Sequence, residues 1–140
     1  MTNRLLIRAA LSLASLMPLA GFMSIAIATE SLAATPSCEQ VAGNVSSRFA
    51  VNNREFLKVD LAVQDFGSIH ESRFQPADDT HRIERRYCNT TITGTDGHRR
   101  ALWYVIESTW GLAGVGHSVE YCASGLDPWH VYGAHCASLR

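Results

Sequence analysis

The chain has 140 residues, 46% hydrophobic and 18% charged, with a formal net charge of −1 at pH 7 when histidine is neutral. A balance this close to neutral supplies no basic patch for nucleic acid, and the length suits one domain behind a leader rather than several domains.

The amino terminus has the order of a secretory signal peptide: Arg4 and Arg8, then an uncharged apolar run from Ala9 to Ala28, then small residues. Cleavage after Ala33 puts Ser31 and Ala33 at the two small-residue positions, and cleavage after Ala28 is the competing choice. Pro18 and Gly21 interrupt the run, which favours a cleaved signal (1–33) over an uncleaved membrane anchor, the alternative that its length allows. Residues 34–140 then form the mature domain. Removing Arg4, Arg8 and Glu30 leaves ten cations, Lys58 and nine arginines, against twelve anions. The expected location is periplasmic or secreted, with no membrane association once the signal is removed.

From Pro36 to about Asn52, Val41, Val45 and Phe49 recur every four residues, which predicts a helix that Ser37 can cap. From Phe56 the period changes to two: Leu57, Val59, Leu61 and Val63 alternate with polar or small residues, the pattern of a half-buried strand. Gln64 to Arg82, with Gly67, Pro76, Asp78 and Asp79, reads as a long loop and a candidate recognition surface.

Ile83 to Gly94 and Arg99 to Thr109 are β-branched and aromatic runs around Thr95-Asp96-Gly97-His98, so a hairpin is expected. With Asp96 and Gly97 as a two-residue turn, Cys88 faces Val105, Thr90 faces Trp103 and Arg86 faces Glu107. Tyr87, Leu102, Tyr104 and Ile106 then share one face, and Tyr87 and Tyr104 become candidate binding residues. Trp110 to His117 is a glycine-rich connection without a phosphate-loop signature, and Ser118 to Ala123 reads as a last strand.

Asp127-Pro128 signals a helix start, because the carboxylate can cap free amides and proline suits the first helical position. On such a helix Trp129, Tyr132, Cys136 and Leu139 share a core-facing stripe, and His130 points away as a candidate contact. Cys38, Cys88, Cys122 and Cys136 are an even set in an exported chain and lack C-x-x-C spacing, so two disulfides are expected rather than zinc. A helix from Pro128 rises about 12 Å by Cys136, which brings it level with Cys122 if it runs back along the strand. Cys122 with Cys136 and Cys38 with Cys88 is the preferred pairing, and the two other connectivities stay open.

The sequence carries little recognisable chemistry. There is no G-x-S-x-G, no H-E-x-x-H and no papain-like cysteine context, so no catalytic residue is assigned. No cofactor and no metal ligand set is expected. A His-based metal site drawn from His117, His130 or His135, and a small hydrolase pairing His117 or His130 with a carboxylate, are the alternatives to a binding module.

The run of Arg86-Tyr87-Cys88, Val119-Glu120-Tyr121-Cys122, Trp129-His130-Val131-Tyr132 and Cys136 resembles small exported alphaproteobacterial proteins of unknown function. The likeness covers roughly Cys38 to the carboxyl terminus and implies a periplasmic bacterial protein, without an activity to transfer. The expectation is an α+β fold: an N-terminal helix, an antiparallel sheet of about four strands and a C-terminal helix, stapled by disulfides. The expected function is a non-enzymatic module that binds or inhibits an envelope protein or ligand, with Tyr87, Tyr104, His117 and His130 as candidate contacts.

Overall fold

The structure is a computed structural model that describes residues 35–108 and 116–140. The expected leader and most of the glycine-rich connection lie outside the described residues.

Helix α1 spans Cys38–Asn52 and begins with a capping box: the Gln40 amide donates to the Ser37 hydroxyl at 3.4 Å, and the Gln40 side chain accepts from the Ser37 amide at 2.7 Å. Its three- and four-residue spacing buries Cys38, Val41, Val45 and Phe49. The helix does not stop at Asn52. It runs into a π-helical turn, Asn53–Leu57, which ends at Lys58 with φ 58. Asn53 is buried, and its amide donates to the Phe49 and Leu61 carbonyls at 2.9 and 3.4 Å, folding the chain back on itself.

That turn corrects the strand expected from Phe56. Strand β1 is Val63–Phe66, and its first residue pairs with Gly94, the last residue of strand β3 (Arg85–Gly94). Residues before Val63 therefore lie past the end of β3 and have no strand to join. Ala62 is instead stitched to Thr95, whose amide donates to the Ala62 carbonyl at 2.9 Å and whose hydroxyl accepts from the Ala62 amide at 3.2 Å. The expected long loop is corrected as well, because it contains the end of β1 and a second strand, β2, at His70–Gln75. All of β2 except Gln75 is exposed, so no apolar alternation marked it.

Strands β3, β4 (Arg99–Ser108) and β5 (His117–Ala123) complete an antiparallel five-stranded sheet. β1 and β2 share one edge of β3, with β4 and β5 following on the other side. The hairpin is present, but its register differs by one residue: Cys88 pairs with Tyr104 and Arg85 with Glu107. The Gly94 amide donates to the His98 carbonyl, which closes a three-residue loop, and within that loop only Gly97 has positive φ. Since side chains alternate, the shift moves Tyr87 to the face opposite Leu102, Tyr104 and Ile106. It also transfers the cross-strand ion pair to Arg85, whose Nε lies 2.6 Å from Glu107 Oε1, while Arg86 pairs with Glu71.

Two apolar layers result. Helix α1 covers the face carrying Cys88, Ile92, Leu102, Tyr104, Ile106, Val119 and Ala123. Residues 124–140 run over the opposite face as a strap on Tyr87, Val105 and Cys122. Each layer is stapled once, Cys38 to Cys88 on the helix side and Cys122 to Cys136 on the strap side, with Cα separations of 5.9 and 5.7 Å.

The strap corrects the expected C-terminal helix. Only a short 3₁₀ turn forms, Ala134–Leu139, and His130, Gly133, His135 and Cys136 all have positive φ. The Asp127 carboxylate accepts from the Val131 and Tyr132 amides, at 2.9 and 3.1 Å, four and five residues on, so it closes a turn and starts no helix. The helix is not propagated, because a glycine in its interior costs about 1 kcal/mol and a helix this short is marginal alone. Cys136 and Leu139 still reach the core, whereas Trp129, expected there, is 66% exposed.

Candidate functional site

Where the end of α1 and its π turn approach the strap, a groove of about 300 Å³ opens over the carboxy half of β5. Phe49 and Ala123 form its buried floor. Tyr121 stands beside Phe49, with ring centroids 6.0 Å apart, and its hydroxyl donates to the Arg48 carbonyl at 3.3 Å. Leu126 and Tyr132 add to the walls, and burial pushes both the Tyr121 and Tyr132 hydroxyls above the usual tyrosine pKa.

The rim is apolar and stands in solvent. Phe56 from the π turn is 67% exposed, and Trp129 and Val131 from the strap are 66% and 70% exposed. Several polar groups around it are already engaged: Arg48 donates to the Val119 carbonyl, Asn53 to two carbonyls, and Asp127 accepts the strap amides. The groove is thus built to hold apolar matter, with Glu120 as an exposed carboxylate at its edge.

The structure scatters the residues singled out from the sequence. Tyr104 is fully buried, its hydroxyl donating to the Cys38 carbonyl at 2.9 Å, and burial raises its pKa; it is a core residue and not a surface contact. Tyr87 lies on the opposite face, 9% exposed, with the Arg73 guanidinium 3.8 Å above its ring centroid. His117 is exposed at the start of β5, paired with Ser108, and His130 is exposed in the turn that follows Asp127. None of the four lines the groove. Sequence reasoning misses Phe56, Trp129 and Val131: the expected strand begins at Phe56, the expected helix turns Trp129 inward, and Val131 receives no role. No period marks the strap segment, because Pro128 to Tyr132 is a succession of turns with His130 at positive φ.

Among the described residues, these cavities do not assemble a catalytic pair. The groove holds Glu120 and Asp127 without a histidine, and a second cavity holds His70 without a carboxylate. His81 Nδ1 lies 3.4 Å from Asp78, but both sit on an exposed loop, where the Thr80 hydroxyl and the His81 and Thr80 amides hold Asp78 down to about 2. Among the described residues no three His, Cys, Asp or Glu side chains converge as a metal site, and no helix is long and apolar enough to cross a membrane.

Fold and site together define a disulfide-stapled α+β domain with an apolar groove between its helix and its carboxy-terminal strap. The chain matches no protein-family model, no curated protein and no solved structure at significant similarity.

Proposed function

We propose that this chain is an exported, non-enzymatic module that binds an envelope protein by accepting an apolar side chain of that partner in the groove. The leader, the two cystines and the likeness to small exported alphaproteobacterial proteins support export to a periplasmic or extracellular location. One observation carries the binding reading: Phe56, Trp129 and Val131, from segments far apart in sequence, leave about two thirds of their surfaces in water around one cavity. Large apolar side chains gathered at a rim mark contact surfaces, and an aromatic anchor in a desolvated pocket supplies much of an interface's affinity.

The test is affinity capture from native envelope extract with the mature chain and with a Phe56→Ser/Trp129→Ser double variant, both checked for intact disulfides. The expected result is a partner retained by the parent and lost by the variant. Equal recovery by both would remove the groove from the interface. A second reading, a small apolar ligand, is favoured by the buried Phe49 and Ala123 floor. It is distinguished by displacement of a fluorescent apolar probe in the absence of any protein partner. The hydrolase and metal alternatives draw no support from the side chains that the described cavities bring together.

A further inference from the structure

The strap covers only part of its sheet face. The chain ends with the Arg140 guanidinium 5.6 Å from the centre of the half-buried Trp103 ring, and beyond that ring the face stays open. A cavity of about 330 Å³ lies there, entered at the break between β1 and β2 around Gly67 and Ser68. Sheet register explains what converges on it. His70, Asn89 and Trp103 form one row across β2, β3 and β4, Thr91 and Ala101 form the next, and Arg99 stands at the end.

Two features separate this cavity from the groove on the helix side. Among the described residues, the side chains of Ser68, His70, Asn89, Thr91 and Arg99 make no hydrogen bond within the protein, and the one engaged hydroxyl, Thr90, is bound to Gly67 and Thr91 carbonyls. Its lining also includes the Arg99 guanidinium and no carboxylate, so its charge complements an anion. An indole face, uncommitted amide and hydroxyl groups and a guanidinium together suit a ligand that presents a flat C–H face, several hydroxyls and a carboxylate.

We propose that this open half of the sheet is a second binding site, and that it takes an acidic sugar, a uronate unit of a glycan. The ring stacks on Trp103, Asn89 and Thr91 bind its hydroxyls, and Arg99 takes the carboxylate in a charge-assisted pair. The site is separate from the groove, and its occupancy does not depend on the partner proposed there.

The experiment is calorimetric titration of the intact mature chain with digalacturonate, with a neutral disaccharide of the same size and with acetate, alongside tryptophan fluorescence. Digalacturonate should bind saturably, and the neutral disaccharide and acetate each at least about tenfold more weakly, since a hydrogen bond to a charged group is of that worth. Arg99→Gln should weaken digalacturonate by about tenfold or more, while Val51→Ser, on the exposed side of α1, should leave it unchanged. Trp103→Phe retains packing and should weaken binding less than Trp103→Ala, which is interpreted only if its circular dichroism matches the parent. The proposal is overturned by no saturable signal up to about 10 mM, where affinity falls below the weakest specific range, by equal binding of the neutral sugar, or by an unchanged Arg99→Gln titration.

Discussion

Tyr104 and Cys38 meet in the core between α1 and the sheet. The tyrosine hydroxyl donates to the Cys38 carbonyl at 2.9 Å, and Cys38 is also bonded through sulfur to Cys88, the residue that pairs with Tyr104 across the β3/β4 hairpin. The first turn of the helix is therefore fastened twice to a single cross-strand pair. Tyr104→Phe should cost about 1 kcal/mol in urea denaturation, the usual net worth of one internal hydrogen bond, with the m-value unchanged. Burial holds the Tyr104 pKa above its ordinary value, so its stabilising share is complete below about pH 10 and declines as the pH rises beyond that. The phenylalanine variant should show a shallower alkaline slope, the remainder coming from Tyr121 and Tyr132, whose hydroxyls burial also raises.

The two cystines should separate in a thermal unfolding series. Cys38 and Cys88 are 50 residues apart and Cys122 and Cys136 are 14 apart. Chain entropy assigns these closures about 4 and about 3 kcal/mol. A Cys38→Ser/Cys88→Ser variant should be the less stable of the two. Hydrogen exchange should localise the damage, with α1 amides exposed in that variant and the strap amides exposed when Cys122 and Cys136 are replaced.

Acid should weaken the hairpin tip. The Arg100 guanidinium, 2.6 Å from Asp96, and then the His98 amide hold the Asp96 carboxyl well below the usual aspartate range. A depressed carboxyl lends stability that is present above the unfolded value near about 3.9 and lost as the pH falls below it. Melting temperature should therefore drop on acidification below about pH 4, and Asp96→Asn should be less stable at neutral pH with a shallower fall. Asp78, held down near 2, acts in the same direction, so the fall should not vanish altogether.

Trp129 and Leu139 distinguish a strap from a core-packed helix. Trp129 is 66% exposed and Leu139 only 4%. Trp129→Ser should change stability by about 0.5 kcal/mol or less, whereas Leu139→Ala should cost about 2–5 kcal/mol. A helix with both residues inside would make both substitutions severe.

What the residues revealed in advance depended on how local each signal was. The first helix could be read because Ser37, Val41, Val45 and Phe49 carry both a cap and a period within one short segment. The hairpin could be read from Asp96-Gly97, but its register could not, since a glycine at positive φ serves a two-residue and a three-residue loop alike. That one-residue difference separated Tyr87 from Tyr104 and dissolved the binding face built on them. β2 gave no pattern because its side chains stay largely in water, and the strap misled because Asp127 caps amides in a helix and in an irregular turn alike. The groove depends on Asn53 and Lys58 bending the chain after α1, which no periodicity encodes.

The broken edge formed by β1 and β2 has a consequence for how the molecule behaves in company. An incoming strand from another chain would find two stretches of four and six residues, each with its own bulge and offset by the interruption at Gly67, with His70, Glu71 and Arg73 along the second. Such an edge is a poor template for strand addition. The fold therefore keeps an open sheet whose β1/β2 side is closed to growing polymers, and leaves β5, seven residues in unbroken register with β4, as its straighter edge.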